Sequence, residues 1–500
     1  MASPRPRLRS LRAAPLALAL LLGGCISLEP KYVRPAPPVP AALPQGGAYG
    51  AAEPVQVAAP DLAWRDFFTD PKLRAITQLA LDNNRDLRVA ILNIAEARQQ
   101  YRIQRAALLP HIDANADATY EHIPASVLGA TSGVAATSVA GTTGTTVASA
   151  TSTSSSVFIR EYEATLGVSN YELDLWGRVR SLTRQALEQY LSTDAAKRAT
   201  QISLISQVAT DYVTYAADLE RLNTAKDTVK ADTTSLQLTQ ARFSGGVASE
   251  LDVRQAQTAL EQARADVATY TTTLAQDANA ETLLVGAAIP PDLLPGPLDD
   301  NFASLADLPA GVSSAVLLRR PDVEEAEHTL RGYNANIGAA RAAFFPTVEL
   351  TGSGGSTSLS FANLFGGATG SWSFTPAITL PIFDAGINAA NLRLAKTQRD
   401  VAVAQYEKAI QTAFREVADA LAQRGQIGEL VAANQAYAFA TGRSLTLSNA
   451  RYQRGSDTYL NTLTAQLNTY SAQQALVTAR LTRATNLITL YQTLGGGGVR

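Results

Sequence analysis

The sequence predicts a mainly helical chain that carries four two-faced β-strands and is built twice from one plan. Three observations predict it. Residues 241–257 (A-R-F-S-G-G-V-A-S-E-L-D-V-R-Q-A-Q) return 209 positions later as 450–466 (A-R-Y-Q-R-G-S-D-T-Y-L-N-T-L-T-A-Q), with six positions identical. Arg105-Ala-Ala-Leu-Leu-Pro110 returns as Arg341-Ala-Ala-Phe-Phe-Pro346, and Asp86 and Asp322 keep that same offset of 236. After each of those two prolines the apolar period changes from that of a helix to two, the period of a strand with one apolar face. A fixed offset held along a helix indicates duplication, and a duplicated chain of long helices can form one elongated unit.

The leader comes first. Arg5, Arg7, Arg9 and Arg12 precede the apolar run from Ala13 to Leu22, which is too short to span a bilayer as a helix. This reads as a signal peptide over residues 1–24, with Leu22-Gly23-Gly24-Cys25 as its cleavage region. Removing it takes the formal net charge from −2 to −6, so no basic footprint for nucleic acid remains. Cys25 is the only cysteine, which excludes a disulfide framework. Residues 25–63 are rich in Pro, Ala and Gly and read as an extended tether.

The first repeat is expected over 64–285 and the second over 311–494. A Pro/Gly-rich connector (286–310) separates them, and a flexible tail (495–500) follows. Trp64 to Leu73 (W-R-D-F-F-T-D-P-K-L) leads into a helix running to about Leu109. Strands follow at about 111–122 and 158–175, with Ile112, Ala114, Ala116, Ala118 and Tyr120 on the apolar face of the first. Tyr162, Ala164, Leu166 and Val168 hold that face in the second. The alternation slips near Asn170, as a bulge would make it do. Between these strands, residues 123–156 are Ser/Thr/Gly/Ala-rich and read as a long loop. The second repeat supplies strands at about 346–358 and 370–383, the latter weakened by Pro376.

From Gly177 the chain reads as helix to the first tip, roughly 100 Å at 1.5 Å per residue. Ile202, Ile205, Ala209, Tyr212, Ala216 and Leu219 form a 3-4 seam, repeated by Val403, Tyr406, Ile410, Ala413, Val417 and Ala420. Phe414 and Leu421 widen the second seam. Gly246 and Gly455 can take the left-handed conformation that ends a helix. Ser249 and Thr458 are then placed to cap the next helices (about 249–285 and 458–494), with Asp252 and Asn461 completing capping boxes.

Four strands cannot close a barrel, and an open edge cannot face lipid with its N–H and C=O groups unpaired. Several chains must therefore share one barrel. No H-E-x-x-H, P-loop or cysteine pair is present, and His111, His122 and His328 are scattered, so enzymatic chemistry and a metal site are not expected.

Taken in order, Leu22-Gly-Gly-Cys25, W-R-D-F-F at 64–68, Asn84-Arg-Asp-Leu87, Tyr171-Glu-Leu-Asp-Leu-Trp-Gly177, Leu318-Arg-Arg-Pro-Asp322, Leu380-Pro-Ile-Phe-Asp384 and the two tips resemble the TolC family of outer-membrane efflux proteins. The likeness covers almost the whole mature chain, and it is to the lipoprotein branch serving resistance-nodulation-division pumps. It implies a homotrimer with a twelve-stranded β-barrel in the outer membrane and a twelve-helix α-barrel below it in the periplasm. The tips would stay closed until a periplasmic adaptor (membrane fusion) protein and an inner-membrane pump engage. It further implies a covalent lipid on Cys25 and no other cofactor, with Ile26 favouring outer-membrane sorting, and a role in multidrug resistance.

The resemblance also implies a gate at the periplasmic tip, at Asp252 in the first copy and Asn461 and Thr464 in the second, with Asp457 beside them. Relatives frequently carry Asp where Thr464 stands, so this gate has fewer charges than the family pattern, and strong cation selectivity does not follow from it. Plain N-terminal capping accounts for Asp252 equally well. Two other readings remain open at this stage. One is a channel for type I protein secretion, which shares the fold; the other is a purely structural periplasmic spacer, which has no need of the strands.

Overall fold

The computed structural model describes residues 27–49, 63–124, 157–298, 305 and 314–496. The signal peptide, Cys25, residues 50–62 of the tether, residues 125–156 of the expected loop, residues 299–304 and 306–310 of the connector and residues 497–500 of the tail lie outside these residues.

Each half runs helix, strand, strand, long helix, shorter helix. The first contains α1 (Pro71–Asn83), α2 (Arg85–Ala106), β1 (Ile112–Ile123), β2 (Val157–Glu172), α3 (Arg178–Ser244) and α4 (Glu250–Val285). The second contains α5 (Pro321–Ala342), β3 (Thr347–Ser358), β4 (Gly370–Thr379), α6 (Ile387–Gln453) and α7 (Tyr459–Thr493). The long helices α3 and α6 both have 67 residues, and α4 and α7 have 36 and 35. No helix among the described residues is long and apolar enough to cross a membrane.

The chain divides into two units. One lies within residues 1–31, 100–186 and 334–397 and holds the sheet; the other lies within 32–99, 187–333 and 398–500 and is helical. In the first unit β1, β2, β3 and β4 form one antiparallel sheet in that order, so the two repeats join through β2 and β3. The register shifts between Val168 and Tyr171, where Asn170 has φ +53°, so the expected bulge is present. Pro376 does not end β4, which stands opposite β3 from Gly370 to Thr379 with Pro376 across from Leu350. β4 ends at Thr379, short of the expected 383. Pro381 cannot donate to a ladder, and Ile382 and Phe383 stand outside the strand, exposed.

Two recognition motifs prove to be helix starts. Asp174 of L-D-L-W-G accepts the N–H groups of Val179 (3.0 Å) and Arg180 (2.9 Å) at the head of α3. Asp384 of L-P-I-F-D accepts those of Gly386 (2.9 Å) and Asn388 (2.8 Å) at the head of α6. Each carboxylate satisfies N–H groups that a helix N-terminus otherwise leaves without partners. Trp176 donates to the Pro346 carbonyl (2.9 Å) and stacks on Phe345.

In the helical unit Trp64, Phe67 and Phe68 are buried, and Phe67 stacks on Tyr491 at 4.5 Å. The expected seams are buried: Ile205, Ala209, Tyr212 and Ala216 on α3, and Tyr406, Ile410, Ala413 and Val417 on α6, each at most 1% exposed. Leu219 and Val403 are only half-buried.

The single helix expected from Leu73 to Leu109 is two helices. Asn84 is extended between them (ψ 133°), its carboxamide oxygen accepting the Leu87 N–H (2.7 Å) and its amide donating to the Leu284 carbonyl (2.7 Å). Gly286 ends α4 at φ +74°, and a Cβ there would meet the Asn83 carbonyl at 2.7 Å, so only glycine fits.

Residues 27–49 carry little regular structure, in keeping with a tether, yet they are fastened to α5. In the helical unit Arg34 makes a bidentate pair with the buried Glu327 (2.9 and 2.7 Å), which Arg331 and the Tyr32 hydroxyl also contact. In the sheet-bearing unit Asn334 donates to the Pro30 carbonyl, and a Cβ on Gly338 would meet the Glu29 Cα at 2.9 Å.

Candidate functional site: the hairpin tips and the two-faced sheet

Both long helices end alike. The Gly246 and Val247 N–H groups donate to the carbonyls of Phe243 and Arg242, and those of Gly455 and Ser456 donate to Tyr452 and Arg451, at 2.9–3.0 Å. With φ of +75° at Gly246 and +73° at Gly455, these are two Schellman turns.

The restarts differ. At the first tip Ser249 Oγ accepts the Asp252 N–H (3.2 Å) while Asp252 Oδ2 accepts the Ser249 N–H (2.9 Å) and hydroxyl (2.8 Å). That is the expected capping box. At the second tip the expected box is absent, since Thr458 makes no side-chain cap. Asp457 takes over, accepting the Thr458 N–H (2.9 Å) and the Asn461 amide (2.5 Å) and pairing with Arg451 (3.3 Å). Asn461 donates its Nδ2 to that carboxylate instead of turning its oxygen back to the Thr458 N–H, which Asp457 already accepts. These contacts, the Asn461 bond foremost, lower the Asp457 pKa below the usual carboxylate range.

Not every residue beside the tips reaches across from one hairpin to the other. Phe243 is 47% exposed, its place toward the second hairpin taken by the adjacent Arg242. The Thr464 hydroxyl returns to the Leu460 carbonyl within its own helix (2.8 Å), as hydroxyls on helices commonly do.

Tyr452 is buried and packs on Tyr459, with ring centroids 5.6 Å apart. Across the hairpins, Arg242 donates to the Tyr452 carbonyl (2.8 Å) and lies over its ring at 4.3 Å. Below this, the buried Asp232 accepts from the Gln466 amide, and burial pushes its pKa up to about 6. Sequence reasoning missed Arg242, Asp232 and Gln466 as ties. Arg242 and Gln466 are identities of the repeat, which was the available signal; Asp232 lies outside it.

The sheet separates two chemistries. The register sets Ile112, Ala114 and Ala118 against Val168, Leu166 and Tyr162, and Phe374 and Trp372 against Gly352 and Gly354, all on one face. That face is uncovered: Trp372 is 83% exposed and Ile378 72%. The opposite face carries Asp113, Asn115, Asp117 and Thr119 along β1 and Ser371, Ser373 and Thr375 along β4. The outer edges of β1 and β4 have no strand beside them among the described residues.

No group of His, Cys, Asp and Glu among the described residues is placed to hold a metal ion. His328 pairs with Glu188 (2.7 Å) inside the helical unit, and His111 is a largely exposed neighbour of Asp113.

The outer membrane efflux protein family matches residues 76–287 and 312–496. The chain is 47% identical over 479 residues to the probable efflux pump outer membrane protein TtgC of Pseudomonas putida, covering 96% of this chain and 94% of that one. It is 41% identical over 483 residues to the outer membrane protein OprJ of Pseudomonas aeruginosa, covering 96% and 95%. Among solved structures, the open state of the MtrE outer membrane channel of Neisseria gonorrhoeae superposes with a TM-score of 0.80 at 37% identity, covering 94% of this chain and 98% of that one. A membrane protein from Pseudomonas aeruginosa superposes at 0.83 with 39% identity, covering 94% and 98%.

Proposed function

The chain belongs to the outer membrane efflux protein family, and from that membership we infer that it is the exit duct of a tripartite efflux system. It is a passive conduit and not an enzyme. Three chains share a twelve-stranded barrel in the outer membrane and a helical barrel in the periplasm. An adaptor protein and a resistance-nodulation-division pump engage that helical barrel and open it at the tips. The observation that carries this is the sheet: four strands, two free edges and one uncovered apolar face. In a bilayer each edge needs a partner strand, and only further chains supply one. The relatives' names are those of efflux pump proteins, which favours efflux over protein secretion.

The tips are the gate. Asp252, Asp457, Asn461 and Thr464 sit where the three chains converge, and the turns at Gly246 and Gly455 set the constriction. Cys25, in the lipobox-like L-G-G-C, carries the lipid that anchors the mature N-terminus. Native mass spectrometry of the detergent-extracted protein, with planar-bilayer recording, tests the assembly. A conducting trimer is expected; a stable monomer with intact β signal, or a protein that never conducts, overturns the reading.

A further inference from the structure

The polar face of the sheet is not uniform. On β1 and β2 it carries Asp117, Glu121, Glu161 and Glu163, together with Asp113 beside His111 and Glu172 paired with Arg178, whereas β3 and β4 add one acid, Glu349 opposite Glu172, and otherwise Ser, Thr, Gly and Ala. Ser353 bonds Ser373 (2.9 Å), and Thr357 bonds Ser371 (3.2 Å). Those hydroxyls show that uncharged residues suffice to wet this wall. No Lys or Arg occupies a polar-face position of any of the four strands, since Arg160, opposite Tyr120, has the parity of the other face. Residues 123–156, between β1 and β2, contain no charged residue either.

Asp117 stands directly across from Glu163. Like charges so placed destabilise a strand pair, so folding alone does not favour this arrangement. Asp117, Glu121, Glu161 and Glu163 have no ion-pair partner among the described residues. At the tips, by contrast, the acids are engaged: Asp252 in its capping box, Glu250 with Arg254 (3.2 Å) and Asp457 with Arg451.

We propose that the duct selects solutes by charge in the lumen of its β-barrel, through Asp117, Glu121, Glu161 and Glu163 of each chain, and not at its helical tips. The inference rests on the proposed assembly, in which the apolar face meets lipid and the polar face lines the lumen. Acids without counter-charges on a low-dielectric wall concentrate cations and repel anions along the pore. The barrel therefore passes cationic and neutral solutes and retards anionic ones, although the gate has lost charge at Asn461 and Thr464.

The test is the reversal potential of the full-length protein in planar bilayers under a tenfold KCl gradient. Wild type is expected to favour potassium over chloride several-fold. The combined variant Asp117→Asn, Glu121→Gln, Glu161→Gln, Glu163→Gln should bring that ratio at least about threefold closer to one, while Asp252→Asn leaves it within about twofold. An unchanged ratio in the lumen variant, or a larger change in the tip variant, overturns the proposal while the channel reading stands. Wild-type protein that forms no conductance overturns both. Should the lumen variant not assemble, the salt dependence of wild type decides. Raising KCl from about 0.1 to 1 M shortens the screening length from about 10 to 3 Å, so cation preference should fall; a preference that salt does not change refutes it.

Discussion

Glu281 on α4 is fully buried, and neither of its carboxylate oxygens has a hydrogen-bond partner. Burial first, then the neighbouring Asp211 and Asp277, pushes its pKa up to about 7, against an ordinary value of 4.5. Between those two values the folded chain keeps a proton that the unfolded chain releases, so stability is lost as pH rises through that window. Two to three pKa units correspond to about 3 kcal/mol, of which about 2 kcal/mol is lost between pH 5 and pH 7.5. A folded chain of this length has an unfolding entropy on the order of 1 kcal/mol per kelvin, so the wild-type Tm should fall by about 2 °C over that range from this group alone. Glu281→Gln keeps the shape and removes the charge. It should raise the Tm at pH 7.5 by a similar amount, have little effect at pH 5 and flatten the profile. Thermal melts by circular dichroism at one scan rate, on both proteins across pH 5–8, measure this. A variant that is less stable than wild type at pH 7.5, or that keeps the wild-type pH slope, refutes the account. The residual slope includes Asp232, pushed up to about 6 by burial, and Asp277, whose pKa burial and then Asp218 push up to about 6, with Arg221 opposing.

Two more expectations are specific to single residues. Asp252→Ala removes the reciprocal half of the first capping box, so it should cost about 0.5–2 kcal/mol by denaturant titration, whereas Asp252→Asn, which keeps an acceptor oxygen, should be mild; equal stability of the Ala variant and wild type would count against the cap. Cys25→Ala should abolish incorporation of labelled palmitate and leave precursor or an unlipidated chain, and persistent label would disprove the anchor.

How much of this was legible in the chain depended on whether the signal was local. Strand faces, the bulge at Asn170 and the Schellman turns at Gly246 and Gly455 follow from side-chain alternation and from glycine at positive φ, and all are present. The break at Asn84 was not legible. An Asn inside a helical pattern is merely a poor helix former until Leu284, 200 residues away, offers a carbonyl to its amide. The same holds for the fastened tether: its Pro-rich composition describes the chain between contacts, while Glu327 and Gly338 on α5 decide where it lies. The divided wall of the sheet needed the register, because alternation finds a polar face but does not set Asp117 opposite Glu163.

The tips show what duplication leaves free to diverge. Arg242 and Arg451 are equivalent in the repeat, yet only Arg242 reaches across, stacking on Tyr452, while Arg451 pairs with Asp457 inside its own turn. The converse pairing is not made: Phe243, the equivalent of Tyr452, is exposed. Asp232 likewise reaches Gln466, whereas the position 209 residues after Asp232 is Thr441, whose hydroxyl bonds only within its helix. The first hairpin therefore supplies the charged groups and the second receives them. Displacing the second hairpin strips partners from a buried carboxylate and from a guanidinium stacked on a ring, whereas its own turn at Gly455 keeps every bond described here. Within this chain the ties across the tips are therefore one-sided: Arg242 and Asp232 of the first hairpin reach Tyr452 and Gln466 of the second, with the Ser235 hydroxyl beside that of Tyr459.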